Sequence, residues 1–386
     1  MGIYFKPDFK TSFDEVSCFT LGITERCNFR CTYCCYSGDY SYMRSHSARS
    51  MSNATQRKAI EFIKRTACKT GPLNISFYGG EALLEQEIIK MFVGELTAFF
   101  GSRVEFDIST NGYLLGKHVV DYVCSHPQIH VSVTVDGCKD IHDRNRRHAD
   151  GSATFDKIAS NLNDFKVRYP KEYDERIKLL VTLGSYSDIA IANKEYDKLK
   201  DMCGKRGLKV SRIVQNYDTG NYLIESQSER DAFVVEAMKH KANGITDLYT
   251  IVLDELLRCG KKRRTLPVWY TVGSKDKLET ELHTCLNNPY CVFISSDGDL
   301  FPCEKFGTAG AIGNLDTGFN EEEIKKVAMR YALRRTLLCH SCAAYEYCKL
   351  CLKDSKMKFG DQRKFCKDYI ENIKTAIKII ENGKIL

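Results

Sequence analysis

The chain has 386 residues, of which 43% are hydrophobic and 28% are charged. This length exceeds a single ordinary core and predicts two domains, one of them a barrel of roughly 200 to 250 residues. A net charge of +7 is modest for this length and does not indicate nucleic-acid binding. No long uninterrupted apolar stretch occurs, so we expect no membrane span.

Eighteen cysteines are the unusual feature of the composition. Disulfides belong to oxidising compartments, but residues 1–14 are mixed and polar and lack the pattern of a secretory leader. We therefore expect a cytoplasmic protein in which many thiols bind metal. The compact basic run at residues 261–264 is expected to be a solvated face, with an acidic peptide or anion as the alternative partner.

From residue 18 to residue 216, short β-branched runs alternate with longer stretches whose apolar residues lie three and four positions apart. This alternation is typical of βα units that build a parallel sheet. The predicted strands are residues 18–24, 73–78, 104–109, 130–135, 177–183 and 209–215. They predict an α/β fold, a partial (β/α)6 TIM barrel whose functional loops follow the C-terminal ends of the strands.

Three cysteines, Cys27, Cys31 and Cys34, follow the first predicted strand. Three thiolates can bind three irons of a four-iron cube and leave the fourth iron open to a small molecule. The alternative is a set of buried apolar thiols, and the adjacent Cys35 indicates that not every cysteine here needs to be a ligand.

The run from Cys27 to Cys34 resembles the signature of radical S-adenosylmethionine (SAM) enzymes. The resemblance implies reductive cleavage of SAM to a 5′-deoxyadenosyl radical at a [4Fe-4S] cluster. After the second predicted strand come Gly79, Gly80 and Glu81, where two glycines allow close backbone approach and a carboxylate can accept hydrogen bonds from an ammonium group. This segment resembles the GGE motif of the family, which holds the SAM amino group.

Further candidate SAM contacts follow the other strands. Ser109 and Asn111 end the third strand with groups suited to a ribose or to a loop cap. Similarity to the family implies that Thr134 and Arg146 contact the SAM carboxylate, since a guanidinium can clamp it with two hydrogen bonds. It also implies that Tyr33 lies beside the adenine.

The C-terminal quarter is rich in cysteine, and its pattern, with Gly298, resembles a SPASM domain, the auxiliary-cluster module of radical SAM peptide-modifying enzymes. Eight thiolates suffice for two further [4Fe-4S] clusters, which makes three in all. The resemblance implies that the first auxiliary cluster is bound by Cys285, Cys291, Cys303 and Cys351. It assigns to the second auxiliary cluster Cys339, Cys342, Cys348 and Cys366.

Two features of this pattern leave alternatives open. Only two residues separate Cys348 from Cys351, where the family usually has three, so the pattern leaves open whether Cys351 is a ligand. Zinc is the alternative metal, although the two CxxC pairs lie closer together than in zinc ribbons. The other cysteines are expected to be buried hydrophobic residues: Cys18, Cys35, Cys68, Cys124, Cys138, Cys203 and Cys259.

These patterns divide the chain into an N-terminal extension at residues 1–17, the partial barrel at 18–226, a helical bridge at 227–284 and the SPASM domain at 285–386.

Glu304 follows Cys303, where enzymes that mature anaerobic sulfatases carry an aspartate thought to act as a base. A solvated or ion-paired glutamate is the alternative interpretation of Glu304.

The resemblance is strongest to ribosomal-peptide maturases such as the thioether-forming sactipeptide and ranthipeptide synthases. It implies oxidative cross-linking of a precursor peptide, with a flavodoxin- or ferredoxin-type reductant. Because only 26 residues precede Cys27, leader binding would occur elsewhere or through a separate protein. The alternatives are an anaerobic sulfatase-maturing enzyme that makes formylglycine from Cys or Ser, and a non-catalytic iron–sulfur electron carrier.

Overall fold

The computed structural model describes residues 3–5, 15–38, 43–212, 226–259, 268–272, 279–282, 291–308, 310–339, 342, 344, 347–348 and 359–381. The strands of these segments are β1 (Ile3–Phe5), β2 (Cys18–Thr24), β3 (Phe29–Cys31), β4 (Leu73–Gly79), β5 (Val104–Thr110), β6 (Ile129–Thr134), β7 (Arg146–His148), β8 (Ile177–Leu183), β9 (Leu208–Arg212), β10 (Val268–Val272), β11 (Glu279–Leu282), β12 (Cys291–Ile294), β13 (Asp299–Phe301), β14 (Gly313–Asn314) and β15 (Gly318–Phe319).

The α-helices of the same segments are α1 (Asn53–Thr66), α2 (Gln86–Phe100), α3 (Lys117–Ser125), α4 (Lys139–Asn145), α5 (Phe155–Arg168), α6 (Pro170–Arg176), α7 (Tyr186–Asn193), α8 (Tyr196–Asp201), α9 (Gln227–Ala242), α10 (Leu248–Cys259), α11 (Glu321–Cys339) and α12 (Phe359–Glu381). Short 3-10 helices at Ala82–Glu85 and Gly101–Arg103 flank α2. None of the described helices combines the length and the apolar character that crossing a membrane requires.

Ten of the described strands form one sheet, in the order β15-β14-β13-β12-β2-β4-β5-β6-β8-β9. The neighbours from β2 to β9 pair in parallel, as helical crossovers require. These six strands match the six predicted ones, and their described ends agree within one residue. Residues 213–215 of the last predicted strand lie outside the described residues. The predicted α/β class with a parallel sheet is confirmed.

The two faces of this sheet differ in polarity. Along β5, Val104, Phe106 and Ile108 are buried, whereas Glu105 and Asp107 alternate with them and are exposed or partly buried. The buried face packs against the helices, so that aromatic residues of β2 and β4 meet those of α1 and α2 edge to face. A parallel sheet covered on both faces reads as continuous apolar runs, and this alternation therefore indicates a second face that is open to ligands.

Helix α1 follows from its local sequence. Ser52 caps its first turn by accepting a hydrogen bond from the backbone N–H of Thr55. Ala59, Ile60 and Phe62 repeat at helical spacing and are buried against the sheet, as the sequence predicted. The helix thereby covers one face of β2, the strand that leads into the cysteine triplet.

The C-terminal strands extend the barrel sheet. Strand β12 pairs in parallel with β2, with Cys291 opposite Cys18 and Ile294 opposite Leu21. Strands β13, β14 and β15 then continue from β12 as an antiparallel meander. One hydrophobic core includes Phe19 of β2 together with residues of β12, β13 and α11. This parallel pairing places Cys291 beside Cys18, at the start of the first barrel strand.

Candidate active site

The cysteine triplet is held by backbone pairing to a later part of the chain. Cys31 lies at the end of β3, which pairs antiparallel with β7 and sets Cys31 opposite Arg146. The next N–H, that of Thr32, donates to the carbonyl of Asn145 over 2.9 Å. The pairing of β3 with β7 therefore places Arg146 beside the cysteine triplet.

The triplet thiols accept hydrogen bonds and are partly buried. The backbone N–H of Phe29 donates to the Cys27 sulfur and that of Tyr36 to the Cys34 sulfur, each over 3.3 Å. Burial raises the pKa of Cys27 to about 12 and that of Cys31 to about 11. The pKa of Cys34 is also raised, mainly by its hydrogen bond with Cys35 and to a smaller extent by burial. Without metal these thiols hold their protons at neutral pH, so iron binding must release protons.

The triplet fits a four-iron cluster better than it fits a single ion. Within the described ranges, no three Cys, His, Asp or Glu side chains lie close enough to share one metal ion. A cube binds each thiolate to a different iron, so its ligands need not converge on one point as in a tetrahedral zinc site. Backbone N–H donors at the sulfurs of Cys27 and Cys34 suit anionic cluster ligands.

Two glycines let the loop after β4 approach the triplet loop. The N–H of Gly80 donates to the carbonyl of Thr24, and the N–H of Glu81 donates to that of Arg26, each over 2.8 Å. A Cβ atom on Gly79 would lie 2.1 Å from the Thr24 oxygen, and one on Gly80 would lie 2.0 Å from the Arg26 oxygen. Glycine is required at both positions because any side chain would overlap this backbone.

Glu81 lies at the centre of the strand ends and is only 1% exposed. Its carboxylate accepts hydrogen bonds from Leu83 N at 2.9 Å, Thr110 Oγ1 at 2.7 Å and Asn111 N at 2.7 Å. Burial raises the pKa of Glu81, while these donors act in the opposite direction. A carboxylate offers about four acceptor positions, which leaves one for an ammonium group.

Asn111 also links two loops of the site. Its side-chain amide donates to Asn28 Oδ1 over 2.8 Å, and its own Oδ1 accepts from the backbone N–H of Tyr113 over 3.0 Å. Asn28 directly follows Cys27, so the end of β5 is tied to the triplet loop. The predicted role of Asn111 as a ribose contact stays a prediction, beside this observed role in joining loops.

Tyr33, Asp136 and Arg146 form a buried chain of hydrogen bonds. Arg146 donates to the Tyr33 hydroxyl over 2.7 Å, and this hydroxyl donates to Asp136 Oδ2 over 2.6 Å. Burial raises the pKa of Asp136 to about 6, against the opposing charge of Arg146. The Nε of Arg146 is buried and has no hydrogen-bond partner among the described residues. A ligand carboxylate would satisfy this donor.

Asp136 was not among the predicted site residues, although it lies in the run after the fourth predicted strand. Its position at a strand end is the signal that identifies it, by the same rule that supported Glu81.

Ser109 and Thr134 lie on β5 and β6 and are partly buried. Neither side chain forms a hydrogen bond with a described residue, so their SAM contacts stay predictions.

Glu304 lies three residues after the end of β13, and it is partly buried. The pKa of Tyr78, at the end of β4, is raised well above its usual value by Cys35, by burial and by the charge of Glu304. The pKa of Cys18 is raised mainly by its hydrogen bond with Cys291 and by burial, and to a smaller extent by the charge of Glu304. The carboxylate of Glu304 is therefore within electrostatic range of the barrel residues that adjoin the triplet, as a base acting there would need.

The predicted auxiliary ligands occupy several elements. Cys291 begins β12 and Cys303 follows β13, which places both at the same end of one hairpin. Cys339 ends α11, and its carbonyl accepts the N–H of Cys342 over 3.0 Å. Cys348 is partly buried and Cys366 lies on α12. Cys285 and Cys351 lie outside the described residues, as does the basic run at 261–264.

The remaining cysteines behave in more than one way. Cys68 and Cys138 are buried, as expected, whereas Cys124 and Cys203 are partly buried. Partly buried Cys18 and Cys35 contact other thiols, those of Cys291 and Cys34 respectively. The side chain of Cys259 lies outside the described residues.

Residues 21–170 match the Radical SAM superfamily. This segment contains the cysteine triplet, Glu81 and Arg146. Residues 21–170 of the chain are therefore a radical SAM domain. The fold, and the [4Fe-4S] cluster and SAM that such a domain implies, agree with what the sequence predicted.

Relatives of this chain carry names that indicate different substrates. The cysteine-type anaerobic sulfatase-maturating enzyme of Clostridium novyi is 21% identical over 350 residues, which is 84% of each chain. A GTP 3′,8-cyclase of Helicobacter pylori is 33% identical over 101 residues, 26% of this chain and 29% of the cyclase. The match to the cyclase is confined to about a quarter of this chain.

Two solved structures share the fold. Native anSMEcpe with bound AdoMet and Cp18Cys peptide has a TM-score of 0.60 and 19% identity, and the match covers 95% of this chain and 99% of that one. Streptococcus suis SuiB bound to the precursor peptide SuiA has a TM-score of 0.51 and 14% identity, and the match covers 82% of this chain and 67% of SuiB.

Proposed function

We propose that this radical SAM enzyme oxidatively cross-links side chains of a ribosomally made precursor peptide through a Cys thioether. The observation that supports a peptide substrate is that both neighbouring folds carry peptides in their solved structures, the Cp18Cys peptide in anSMEcpe and SuiA in SuiB. These matches extend over most of this chain. They support a shared architecture, and the peptide is our proposal for this enzyme.

The strand-end site would bind the SAM cluster and SAM itself. We assign the cluster to Cys27, Cys31 and Cys34; when bound, it supplies the electron for cleaving SAM to a radical that takes hydrogen from a substrate carbon. The remaining acceptor position of Glu81 would receive the SAM ammonium group. The unpartnered Nε of Arg146 would donate to the SAM carboxylate.

Tyr33 and Asp136 would act by holding Arg146 in place. The Tyr33 hydroxyl accepts from the guanidinium and donates to Asp136, which fixes one edge of the guanidinium and leaves Nε for the ligand. Asp136 is itself held by the backbone N–H of Thr182 at the end of β8 over 3.3 Å. The positions of four strands thereby determine where the SAM carboxylate would bind.

Thioether formation removes two hydrogen atoms from the peptide for each cross-link. One leaves with the deoxyadenosyl group, and the thiol proton and one electron must then also leave the substrate. Glu304 would accept the proton, since its charge is within range of the triplet side of the barrel. The two auxiliary clusters, with the C-terminal cysteines as ligands, would accept the electron, which a flavodoxin- or ferredoxin-type protein would carry onward.

Formylglycine formation on a sulfatase is the second candidate. Its support is the length of the match to sulfatase-maturating enzymes, which covers 84% of this chain for the Clostridium novyi protein and 90% for that of Clostridium perfringens. Resemblance to that family places an aspartate where this chain has Glu304. Both reactions begin with the same hydrogen abstraction, so the peptide products distinguish them.

Mass spectrometry of peptides incubated anaerobically with enzyme, SAM and dithionite tests the proposal. Loss of two hydrogens from the precursor peptide encoded beside the gene, with its cysteines newly resistant to alkylation, is the expected result. Formylglycine in a sulfatase-derived peptide, with the precursor unchanged, would establish the second candidate instead. Adding a candidate leader-binding protein to half of the reactions tests whether recognition needs a partner.

Glu304→Gln tests, in the same assay, whether Glu304 is the base that accepts the substrate proton. The variant should still release deoxyadenosine, because the SAM site lies elsewhere, but should form at least tenfold less cross-linked peptide. Equal product from the variant and the parent would remove Glu304 as the base while leaving the cross-linking proposal intact.

A further inference from the structure

A histidine on α4, His142, lies between two residues of the strand-end site, Asp136 and Arg146. Its side chain is 0% exposed, and both of its ring nitrogens have hydrogen-bond partners. The backbone N–H of Asp136 donates to Nδ1 over 3.2 Å, and Nε2 lies 3.2 Å from the hydroxyl of Thr154. Thr154 is also buried, and its hydroxyl donates to the carbonyl of Arg146 over 2.5 Å.

These contacts determine where the imidazole carries its proton. A backbone amide can only donate, so Nδ1 of His142 accepts and has no proton. The single hydroxyl proton of Thr154 is used on the Arg146 carbonyl, so its oxygen accepts from Nε2–H. His142 is therefore a neutral imidazole with its proton on Nε2. Because both nitrogens are engaged and the ring is fully buried, His142 acts through its neighbours and does not touch a ligand itself.

The contacts of His142 close a ring of hydrogen bonds around the Arg146 guanidinium. On the side-chain half, Arg146 donates to Tyr33, which donates to Asp136. On the main-chain half, the N–H of Asp136 donates to His142. Thr154 then continues this path to the carbonyl of Arg146. Asp136 and Arg146 are thus joined twice, once through their side chains and once through their backbones.

The loop that carries Thr154 is held from a second direction. Asp143, the next residue after His142 on α4, accepts the backbone N–H groups of Thr154 and Phe155 at 2.8 and 2.9 Å. The rings of Phe155 and His142 meet edge to face, with 5.5 Å between their centres. The start of α5 is therefore fixed against α4, and the imidazole lies between two well-held segments.

We propose that His142 is a positioning residue of the SAM site, which holds the backbone of Arg146 so that its unpartnered Nε is directed at the SAM carboxylate. The inference rests on the proposed function in one respect, the assignment of that carboxylate to Arg146. The direction of a donor depends on both ends of its side chain: Tyr33 holds the guanidinium, and the link through His142 holds the main chain. Without the imidazole, the buried N–H of Asp136 would lose its acceptor, and the segment between β6 and β7 would shift to satisfy it.

Binding of two ligands to the reconstituted enzyme tests this role. Anaerobic equilibrium dialysis measures the affinity for SAM and for decarboxylated SAM, which lacks the carboxylate but keeps the ammonium group. His142→Phe removes both ring nitrogens and keeps an aromatic ring against Phe155. We expect it to weaken SAM binding about tenfold, the order of one lost hydrogen bond, and to change the binding of decarboxylated SAM by less than about twofold. A general loss of structure would weaken the binding of both ligands alike.

Thr154→Val tests the other half of the main-chain link. Valine has nearly the same shape as threonine but cannot join Nε2 of His142 to the Arg146 carbonyl. The variant should show the same selective loss of SAM affinity, and it replaces His142→Phe if circular dichroism or iron content shows that the latter does not fold. Combining the two substitutions should weaken SAM binding no further than either alone, because both break one path. His142→Asn, which keeps an acceptor for the Asp136 N–H, should recover part of the affinity.

His126→Phe is the matched control. His126 follows α3 and precedes β6, so it lies at the opposite end of that strand from the site. Its ring contacts the Tyr122 carbonyl and the Ser125 hydroxyl. The affinities for both ligands should be unchanged in this variant.

Arg146→Gln separates this inference from the proposed function. If Arg146→Gln weakens the binding of SAM and decarboxylated SAM equally, the carboxylate assignment is wrong, and the inference about His142 fails with it. If Arg146→Gln is selective while His142→Phe and Thr154→Val bind SAM as the parent does, His142 has no positioning role and the proposed function is unaffected. Equal weakening of both ligands in these two variants would also overturn the inference, since the effect would then not pass through the carboxylate.

Discussion

The strand-end site and the C-terminal cysteines are built by different means. At the strand ends, hydrogen bonds directly join residues that follow or end different strands, as from Thr110 to Glu81 and from Tyr33 to Asp136. The C-terminal cysteines begin a strand, end a helix or lie within one, and a backbone hydrogen bond joins Cys339 to Cys342. The parallel sheet and the β3–β7 ribbon therefore form the strand-end site without metal, whereas we expect iron to bring the C-terminal cysteines together.

Exchanging one cysteine in each region tests this difference most strongly. Cys31→Ala should abolish deoxyadenosine formation, because the site that would reduce SAM loses a ligand. Cys339→Ala should still release deoxyadenosine but form no cross-linked peptide. Chromatography of deoxyadenosine and mass spectrometry of the peptide measure the two outcomes. Cys68→Ala, a buried thiol outside both regions, should leave both products unchanged.

Gly80→Ala tests whether backbone packing alone builds the strand-end site. The new Cβ would overlap the Arg26 carbonyl, and overpacking of this kind costs about 3 kcal/mol of unfolding free energy. SAM affinity should fall as well, because the loop that carries Glu81 must move. Gly94→Ala in α2 has open space around its Cβ and should be neutral or stabilising in the same urea titration. Similar behaviour of the two variants would contradict the argument.

Asp136 gives the strand-end site a pH dependence below about pH 6, whereas the C-terminal Cys291, whose pKa is lowered to about 7 by its hydrogen bond with Cys18, titrates above that range. Its folded pKa of about 6 lies above its ordinary value of 3.8, so the folded chain binds more protons between these values. Stability should therefore fall as pH rises from about 4 to about 6, by up to about 3 kcal/mol. Asp136→Asn should remove this slope in thermal unfolding of the iron-free chain.

Asp150→Asn controls for the loss of a carboxylate. Hydrogen bonds from Ser152 lower the pKa of Asp150 to about 2, so its stabilisation is present above its unfolded value and is lost only as pH falls toward 2. Its difference from the parent should stay constant between pH 4.5 and pH 7. If the stability of Asp136→Asn falls with pH as steeply as that of the parent, Asp136 is not the group that causes the fall.

The sequence predicted the barrel well because each βα unit carries its own local signals. The residues it identified at the strand ends, such as Glu81 and Arg146, lie within short runs that follow a strand. It did not identify the hydrogen bond from buried Arg44 to the Phe306 carbonyl, because these two residues are 262 positions apart in the chain and no local spacing indicates their contact. The parallel pairing of Cys291 with Cys18 was missed for the same reason, since long-range register depends on tertiary packing.

Arg146→Lys probes the finest feature of the strand-end site, the direction of its donors. Lysine keeps the charge beside Tyr33 but loses the planar fork, including the Nε donor that has no partner in the structure. We expect SAM affinity to fall about tenfold, equivalent to about 1.4 kcal/mol. Arg147→Lys is the matched control, because the guanidinium of Arg147 is exposed and donates to the carbonyl of Asp143, outside the strand-end site. Equal affinities of the two variants in equilibrium dialysis would mean that charge alone, rather than the geometry fixed by Tyr33 and Asp136, determines binding.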